Sequence, residues 1–507
     1  MSNSVNNKRI AKNTVYLYFR MLFVMAISLY TVRAILDILG VVDYGIYNVV
    51  GGVVTMFAFM NRTLSTSSQR YFSIELAHGD KDRLSKWFCL NITTFLIIGL
   101  IIAFFLETVG LWFLNTQMTI QEERMTAANV VYQLSIISFL FHIVSVPYLA
   151  LIIAHEKMNV FAYVGIFEAL GRLAIVFILM MLTYDKLIIY GILILLLSLS
   201  VALSYMFYCW KHYPESKYQW YWNTAETKEL LGFSGWHFLG TFSNSCRSQG
   251  VNILLNLFFS PAVNAARAVS YQVYGAAQHL VTNFFTAVKP QIYKSYASEQ
   301  YEDLYKLINR STMICTFLLS LLVFPLMLNT EMILGWWLKE VPEFAVIFTQ
   351  LVLLNGLVDS LNLPMTAAAL ATGKIRKYEL WLATTTLLNI PISYIVLKLG
   401  APPYAAMLVS ILLSCICVVI RANLLKGMIH FPVKPYFSMT IKVLLVTIIM
   451  LVIVSLFHRS VNGVLNLILY SFVTLIVLTV LYTVILGRND REYIYALIKT
   501  KVKCISK

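Results

Sequence analysis

Tyr132-Gln-Leu-Ser-Ile, running through Pro147 to Ala154-His-Glu-Lys157, and Thr349-Gln-Leu-Val-Leu, running through Pro364 to Ala371-Thr-Gly-Lys374, read as one text written twice. Gln133 and Gln350, Pro147 and Pro364, Ala154 and Ala371, and Lys157 and Lys374 each stand about 217 residues apart, as expected of a duplicated six-helix unit. Proline inside a helix removes a hydrogen bond and crowds the preceding turn, so a proline at the same place in two apolar stretches argues against chance. The register continues with small shifts. Asn61 matches Asn283 and Gln69-Arg-Tyr71 matches Gln291-Ile-Tyr293 at about 222 residues, and Glu107 to Leu114 matches Glu331 to Leu338 at about 224. Each copy holds an even number of spans, so both start on the same side of the membrane and are parallel.

Composition identifies the solvent. Hydrophobic residues make up 59% of the 507, charged residues 12%, and the mean hydropathy is +0.74. Apolar runs recur that are long enough to cross a bilayer, and in lipid such runs become helices because the backbone finds no outside hydrogen-bond partner. The first run, Val15–Leu36, carries Arg20 and Arg33 and reads as a span rather than a cleaved leader. Fourteen spans are expected, at roughly 14–36, 43–61, 88–113, 127–154, 159–183, 187–210, 236–259, 263–288, 309–335, 344–371, 379–398, 402–424, 438–457 and 463–486. The expected class is therefore an all-α polytopic membrane protein: two parallel six-helix repeats plus two C-terminal helices. Its parts are an N-lobe at 1–211, a cytoplasmic interfacial linker at 212–235, a C-lobe at 236–426, extra spans at 437–487 and a basic tail at 488–507.

The net charge of +15 follows the same plan. With the N-terminus in the cytoplasm, cytoplasmic segments carry about 28 Lys and Arg and external loops about five, the bias of the positive-inside rule. The charge is thus largely topological and does not call for nucleic acid. Both termini are placed in the cytoplasm. The seven cysteines show neither CxxC nor Cys/His metal spacing, and no HExxH, GxSxG or phosphate-loop sequence is present, so neither a catalytic nor a metal centre is expected.

Polar residues inside spans need a reason, because an ionisable group at mid-bilayer costs about 2.5–3.5 kcal/mol. Span seven places Asn244, Ser248 and Asn252 on one stripe around Arg247, and span eight places Arg267, Tyr271, Tyr274 and Gln278 on another. Two such stripes suggest a water-filled cavity; the competing reading is helix–helix hydrogen bonding. Arg20 and Arg33 lie about 220° apart on a helix, so either one lines the cavity or each snorkels to its surface. Glu168 and Arg172 have the spacing of a structural ion pair within span five. His142 and Asp359 stand at equivalent points of the two copies and are candidates for proton coupling. Pro147 and Pro364 are hinge candidates, and Pro325 and Pro391 are expected to kink their helices.

Arg33-Ala-Ile-Leu-Asp-Ile-Leu39-Gly40-Val-Val-Asp-Tyr44-Gly45-Ile-Tyr47 resembles the first junction of Wzx-type polysaccharide flippases, although the interval from Arg33 to Leu39 is stretched. Ser67-Ser-Gln-Arg70-Tyr71 is similar too, and the layout resembles the multidrug/oligosaccharidyl-lipid/polysaccharide exporter (MOP) superfamily over nearly the whole chain. The resemblance implies MATE-like lobes in a V that alternate between inward-open and outward-open states. It also implies a cationic cavity through which a polyprenyl-diphosphate-linked sugar passes head-first while its tail stays in lipid. Arg247 and Arg267, with Arg20 and Arg33, suit the diphosphate, and Asn244, Asn252, Tyr271, Tyr274 and Gln278 suit the sugar.

The leading expectation is a non-enzymatic transporter, a lipid-linked oligosaccharide flippase of a bacterial inner membrane, serving O-antigen (lipopolysaccharide) or capsule assembly. A MATE-type exporter of organic cations, which would want buried acids, and a multispan polymerase or glycosyltransferase, which would want a large external loop, are the rivals. No cofactor is expected, and a proton or sodium gradient is the candidate energy source. The expected partners are the lipid-linked oligosaccharide and membrane lipid, with a polysaccharide polymerase and a chain-length regulator as further candidates to a monomeric protein.

Overall fold

The structure, a computed structural model, describes residues 2–55, 58–116, 121–182, 184–259, 261–338 and 341–442, together with 445, 449 and 472–478. Helices α1 to α8 are Ser2–Thr55, Ala58–His78, Lys81–Phe105, Leu111–Thr116, Glu122–Ala154, Met158–Met181, Lys186–His212 and Thr224–Phe258. Helices α9 to α15 are Pro261–Ala297, Tyr301–Leu328, Thr330–Trp337, Ala345–Thr372, Arg376–Leu387, Asn389–Lys398 and Ala405–Ile429. Among the described residues, nine helical stretches are long and apolar enough to cross a membrane. The expected fourteen spans are not all tested, because most of the last two, and the whole basic tail, lie outside the described residues. Spans seven and eight fall within α8 and α9, whose polar stripes lower their hydropathy.

The chain divides into two compact units, Arg9–Phe238 and Leu239–Lys507 with Met1–Lys8. In the first, α5 is the hub on which α2, α3 and α7 pack; in the second, α12 is the hub for α9, α10 and α15. These hubs are the two copies of the duplicated text. Both are apolar all round, as a helix covered on every side must be, and fully buried Val131, Ile143 and Leu151 in α5 correspond in role to Phe348, Leu353 and Met365 in α12. The matched glutamines do the same job: Gln133 Nε2 donates to Glu107 Oε2 at 2.9 Å and Gln350 Nε2 to the Met327 carbonyl at 3.1 Å, each tying its hub to the segment two helices earlier or less. The matched ends also agree. Glu156 (φ 60°) follows α5 and Gly373 (φ 75°) follows α12, both in the left-handed region where a helix commonly stops.

Pro147 and Pro364 lie inside unbroken helices. Pro391 does more than kink its span: α13 ends at Leu387, the residue whose carbonyl the ring would strike, and α14 restarts at Asn389. α1 changes direction at Gly40 (φ 77°), between the first two expected spans. The expected linker, 212–235, overlaps the start of α8, which runs unbroken from Thr224 to Phe258. The linker and the start of α8 belong to the N-terminal unit: Tyr218 Oη and Thr93 Oγ1 lie 3.0 Å apart, Tyr71 Oη donates to Glu229 at 3.2 Å, and Ser67 and Ser234 hydroxyls meet at 2.8 Å.

Candidate functional site

Three helices of the Arg9–Phe238 unit line a cavity of about 420 Å³, within the range of small-molecule sites. α1 contributes Arg20, Val24, Ile27, Ser28, Thr31 and Ile35, a single helical face, and, beyond Gly40, Tyr44 and Tyr47. α6 contributes Gly165, Glu168, Ala169 and Arg172, and α7 contributes Tyr190 and Ile194. Two guanidiniums and one carboxylate leave the wall one net positive charge. Three phenols and two aliphatic hydroxyls supply neutral hydrogen-bonding groups.

Each charged group is held differently. Arg20 stacks its guanidinium 4.1 Å from the Phe161 ring centre, and its buried Nε has no hydrogen-bond partner. It crosses α6 at Gly165, where a Cβ would collide with Nε, so glycine is what lets the arginine reach the cavity. Arg172 Nη2 donates to Glu168 Oε1 at 2.9 Å, the pair expected within span five; both side chains also face the cavity. Tyr47 and Tyr190 meet edge to face with centroids 4.6 Å apart, joining α1 to α7. A narrower cleft behind the ion pair is lined by His142, Glu168, Arg172, Ile194, Leu197, Ser198 and Val201. His142 therefore shares a wall with Glu168 and Arg172 inside one unit, whereas Asp359, accepting from Asn355 Nδ2 at 2.9 Å, belongs to the other unit.

The remaining sequence-predicted residues are placed as follows. Arg33 is exposed and is not among the cavity residues. In the C-terminal unit, Arg267 is buried and donates from Nη1 to Asn252 Oδ1, with its guanidinium 4.4 Å from the Tyr271 ring. Asn252 Nδ2 donates to Gln249 Oε1 at 3.2 Å and its carbonyl accepts from Asn264 Nδ2 at 3.1 Å, so this part of the two stripes is occupied by contacts between α8 and α9. Tyr274 crosses Gly356 of α12 and meets Tyr271 edge-on at 6.4 Å. Arg247 and Gln278 are half-buried, and exposed Asn244 donates to the Gly240 carbonyl at 3.0 Å. The sequence reading missed Ser28, Thr31, Tyr190 and the cavity role of Tyr44 and Tyr47. The signal for the first two was present in the helical spacing of Arg20, Ser28 and Thr31. It also passed over Arg421 of α15, whose Nη1 donates to Tyr378 Oη at 2.7 Å and to Thr366 Oγ1.

Residues 10–296, more than half of the chain and all of the cavity, match the family described as polysaccharide biosynthesis protein. Among curated proteins, none matches. The fold is that of MATE structures. One is an outward-facing multidrug resistance MATE family transporter of the MOP superfamily, with a TM-score of 0.69, 12% identity, and coverage of 84% of this chain and 97% of that one. Another is a MATE bound to MaD3S, with a TM-score of 0.68, 11% identity, and coverage of 83% and 97%. A third is a MOP superfamily transporter from Pyrococcus furiosus, described as having a binding pocket of reversed polarity, with a TM-score of 0.65, 13% identity, and coverage of 84% and 97%. On this evidence the chain belongs to the polysaccharide biosynthesis protein family and is an all-helical, multi-pass membrane protein with the MATE fold.

Proposed function

We propose that this protein flips a polyprenyl-diphosphate-linked oligosaccharide across the bacterial inner membrane by alternating access, for O-antigen or capsular polysaccharide assembly. The observation that carries the reading is the net-positive, tyrosine-lined cavity of the N-terminal unit in a chain of this family. Guanidiniums suit a phosphate or acidic sugar because their fork matches two oxygens at once. Phenols and hydroxyls suit the remaining sugar surface, which offers hydroxyls for hydrogen bonding and C–H faces for stacking. The substrate head would rest between Arg20 and Arg172 while the lipid tail stays in the bilayer. The lining shifts the weight of the site from Arg247 and Arg267 towards Arg20 and Arg172. Both termini face the cytoplasm in this reading, and a proton or sodium gradient drives the cycle.

The test is complementation in a strain lacking its own flippase. Arg20→Ala and Arg172→Ala should each abolish surface polysaccharide at normal protein abundance. Full complementation by the double variant would remove the cavity from the mechanism. Resistance to organic cations, gained on expression in a host without drug pumps, would instead favour a multidrug exporter.

A further inference from the structure

One charge cluster at an end of the N-terminal unit is used neither by the cavity chemistry nor by the hydrophobic core. Arg124, in the first turn of α5, serves two carboxylates. Its Nε donates to Asp43 Oδ1 at 2.9 Å, its Nη2 to Asp43 Oδ2, and its Nη1 to Asp185 Oδ2 at 2.7 Å. A planar guanidinium presents donors in a fixed fork, so one side chain can hold two acids on different elements at once. Asp43 lies on α1 beyond Gly40. Asp185 caps α7, accepting from the Leu187 N–H at 3.0 Å. Three otherwise separate segments are thus tied at one point.

Those segments form one end of the cavity. Tyr44 follows Asp43, Tyr47 lies a turn further on, and Tyr190 stands about a turn into α7 from Asp185; all three line the cavity at the end remote from Arg20. The α1 segment carrying Tyr44 and Tyr47 is joined through Gly40, whose φ of 77° strains any side chain although a Cβ there would touch nothing. Glycine is therefore required by the backbone bend and not by crowding, as at a hinge. The side chains of Arg124 and Asp185 keep 30% and 34% exposure, so water and salt reach the cluster and weaken it. A tie of this kind can break and re-form within a transport cycle.

We propose that Asp43, Arg124 and Asp185 form a clasp that holds the outer end of the N-terminal cavity shut, and that it opens for substrate release as the α1 segment beyond Gly40 swings away. This rests on the cavity being the transport site and on the expected orientation of the chain. The test uses a full-length variant whose native cysteines are replaced by alanine and that carries Thr31→Cys, a cavity-wall position buried while the clasp is formed, alkylated by a membrane-impermeant maleimide in spheroplasts. Arg124→Ala and Asp43→Asn should raise the labelling rate at least tenfold, with Arg124→Lys intermediate. A parallel set retaining only buried Cys209 should stay unreactive, which separates opening from unfolding. Asp185→Asn decides the matter if the others unfold, because asparagine still caps a helix while lacking the charge. Wild-type labelling rates in every folded variant would overturn the clasp. Faster labelling confined to inside-out vesicles would keep the clasp and overturn the orientation. Because the readout involves no polysaccharide, failure of the substrate assignment leaves it unaffected.

Discussion

Gly165→Ala offers a sharp test of how the cavity is built. The added methyl would fall on Nε of Arg20, so the guanidinium must leave its place against Phe161. Losing a desolvated cation–π contact costs about 2 kcal/mol, and crowding adds about 1–3 kcal/mol if the arginine does not move away. Alanine in a helix returns about 1 kcal/mol relative to glycine. The net change in stability is therefore small, on the order of 1–2 kcal/mol, if Arg20 relocates. Transport should suffer more. A substrate group that Arg20 binds with only about 1.4 kcal/mol already accounts for tenfold in occupancy.

The assay pairs surface polysaccharide per cell with the thermal midpoint of the purified protein. The expected result is at least a tenfold loss of polysaccharide with a midpoint lowered by only a few degrees. Gly232→Ala, where a Cβ meets nothing within 4 Å, is the control and should complement fully. Full activity of Gly165→Ala beside an inactive Arg20→Ala would refute the reasoning, because the arginine could then work from another position.

Three further outcomes follow from the same geometry. Glu168→Gln removes an i,i+4 pair whose side chains are 48% and 30% exposed, so it should cost no more than about 0.5 kcal/mol in chemical or thermal denaturation while raising the net cavity charge from one to two. Gly373→Ala forces a Cβ into the left-handed region and should cost about 1–2 kcal/mol in the same assay, whereas Gly427→Ala, in α15 with open space around it, should cost nothing. Glu215 is outside the spans; burial pushes its pKa up, but the hydrogen bond with His155 at 2.9 Å, a backbone hydrogen bond and the nearby charges of His155 and Lys81 together outweigh this and hold it below its ordinary 4.5. A depressed carboxylate stabilises above its unfolded pKa and ceases to do so as pH falls through the folded value. The melting difference between wild type and Glu215→Gln should therefore shrink as the pH drops below about 4.5.

The scaffold was legible in the sequence because a bilayer allows few solutions. Apolar length implies helix, and the matched glutamines and prolines mark two equivalent stretches, which lie in α5 and α12, the hubs of the two units. The site was less legible. A polar stripe announces that its groups need partners, but not whether a partner is solvent, substrate or the next helix. Arg267 and Asn252 answer one another across α8 and α9, so that part of the stripe faces packing. The cavity escaped notice for the opposite reason. Its wall joins α1 to the consecutive helices α6 and α7 much later in the chain, and tyrosines, serine and threonine among apolar residues carry little signal until the helices are assembled. Glu168 and Arg172 show that a structural pair and a cavity wall are not exclusive assignments, since spacing fixes the first and only packing reveals the second.

The duplication also allows the cavity face of α6 to be compared with its counterpart in the other copy. At the offset of about 217 that relates α5 to α12, Gly165 corresponds to Leu382, Glu168 to Thr385 and Arg172 to Asn389. Leu382 and Thr385 are buried, and Asn389 is wholly buried, donating from Nδ2 to Ser410 Oγ at 3.0 Å. The three positions that include an exposed ion pair in the first copy are thus packed and neutral in the second. The gap that admits Arg20 is filled there by a leucine. The helix differs as well, since Pro391 divides the second copy into α13 and α14 where α6 runs unbroken through Arg172. An arginine at position 389 would be a buried cation whose present neighbour is a serine, an expensive arrangement without a carboxylate. The two copies therefore share a scaffold but cannot exchange their charges. Divergence on this face, not the repeat itself, separates the unit that carries the charged cavity from the unit in which the corresponding face is core.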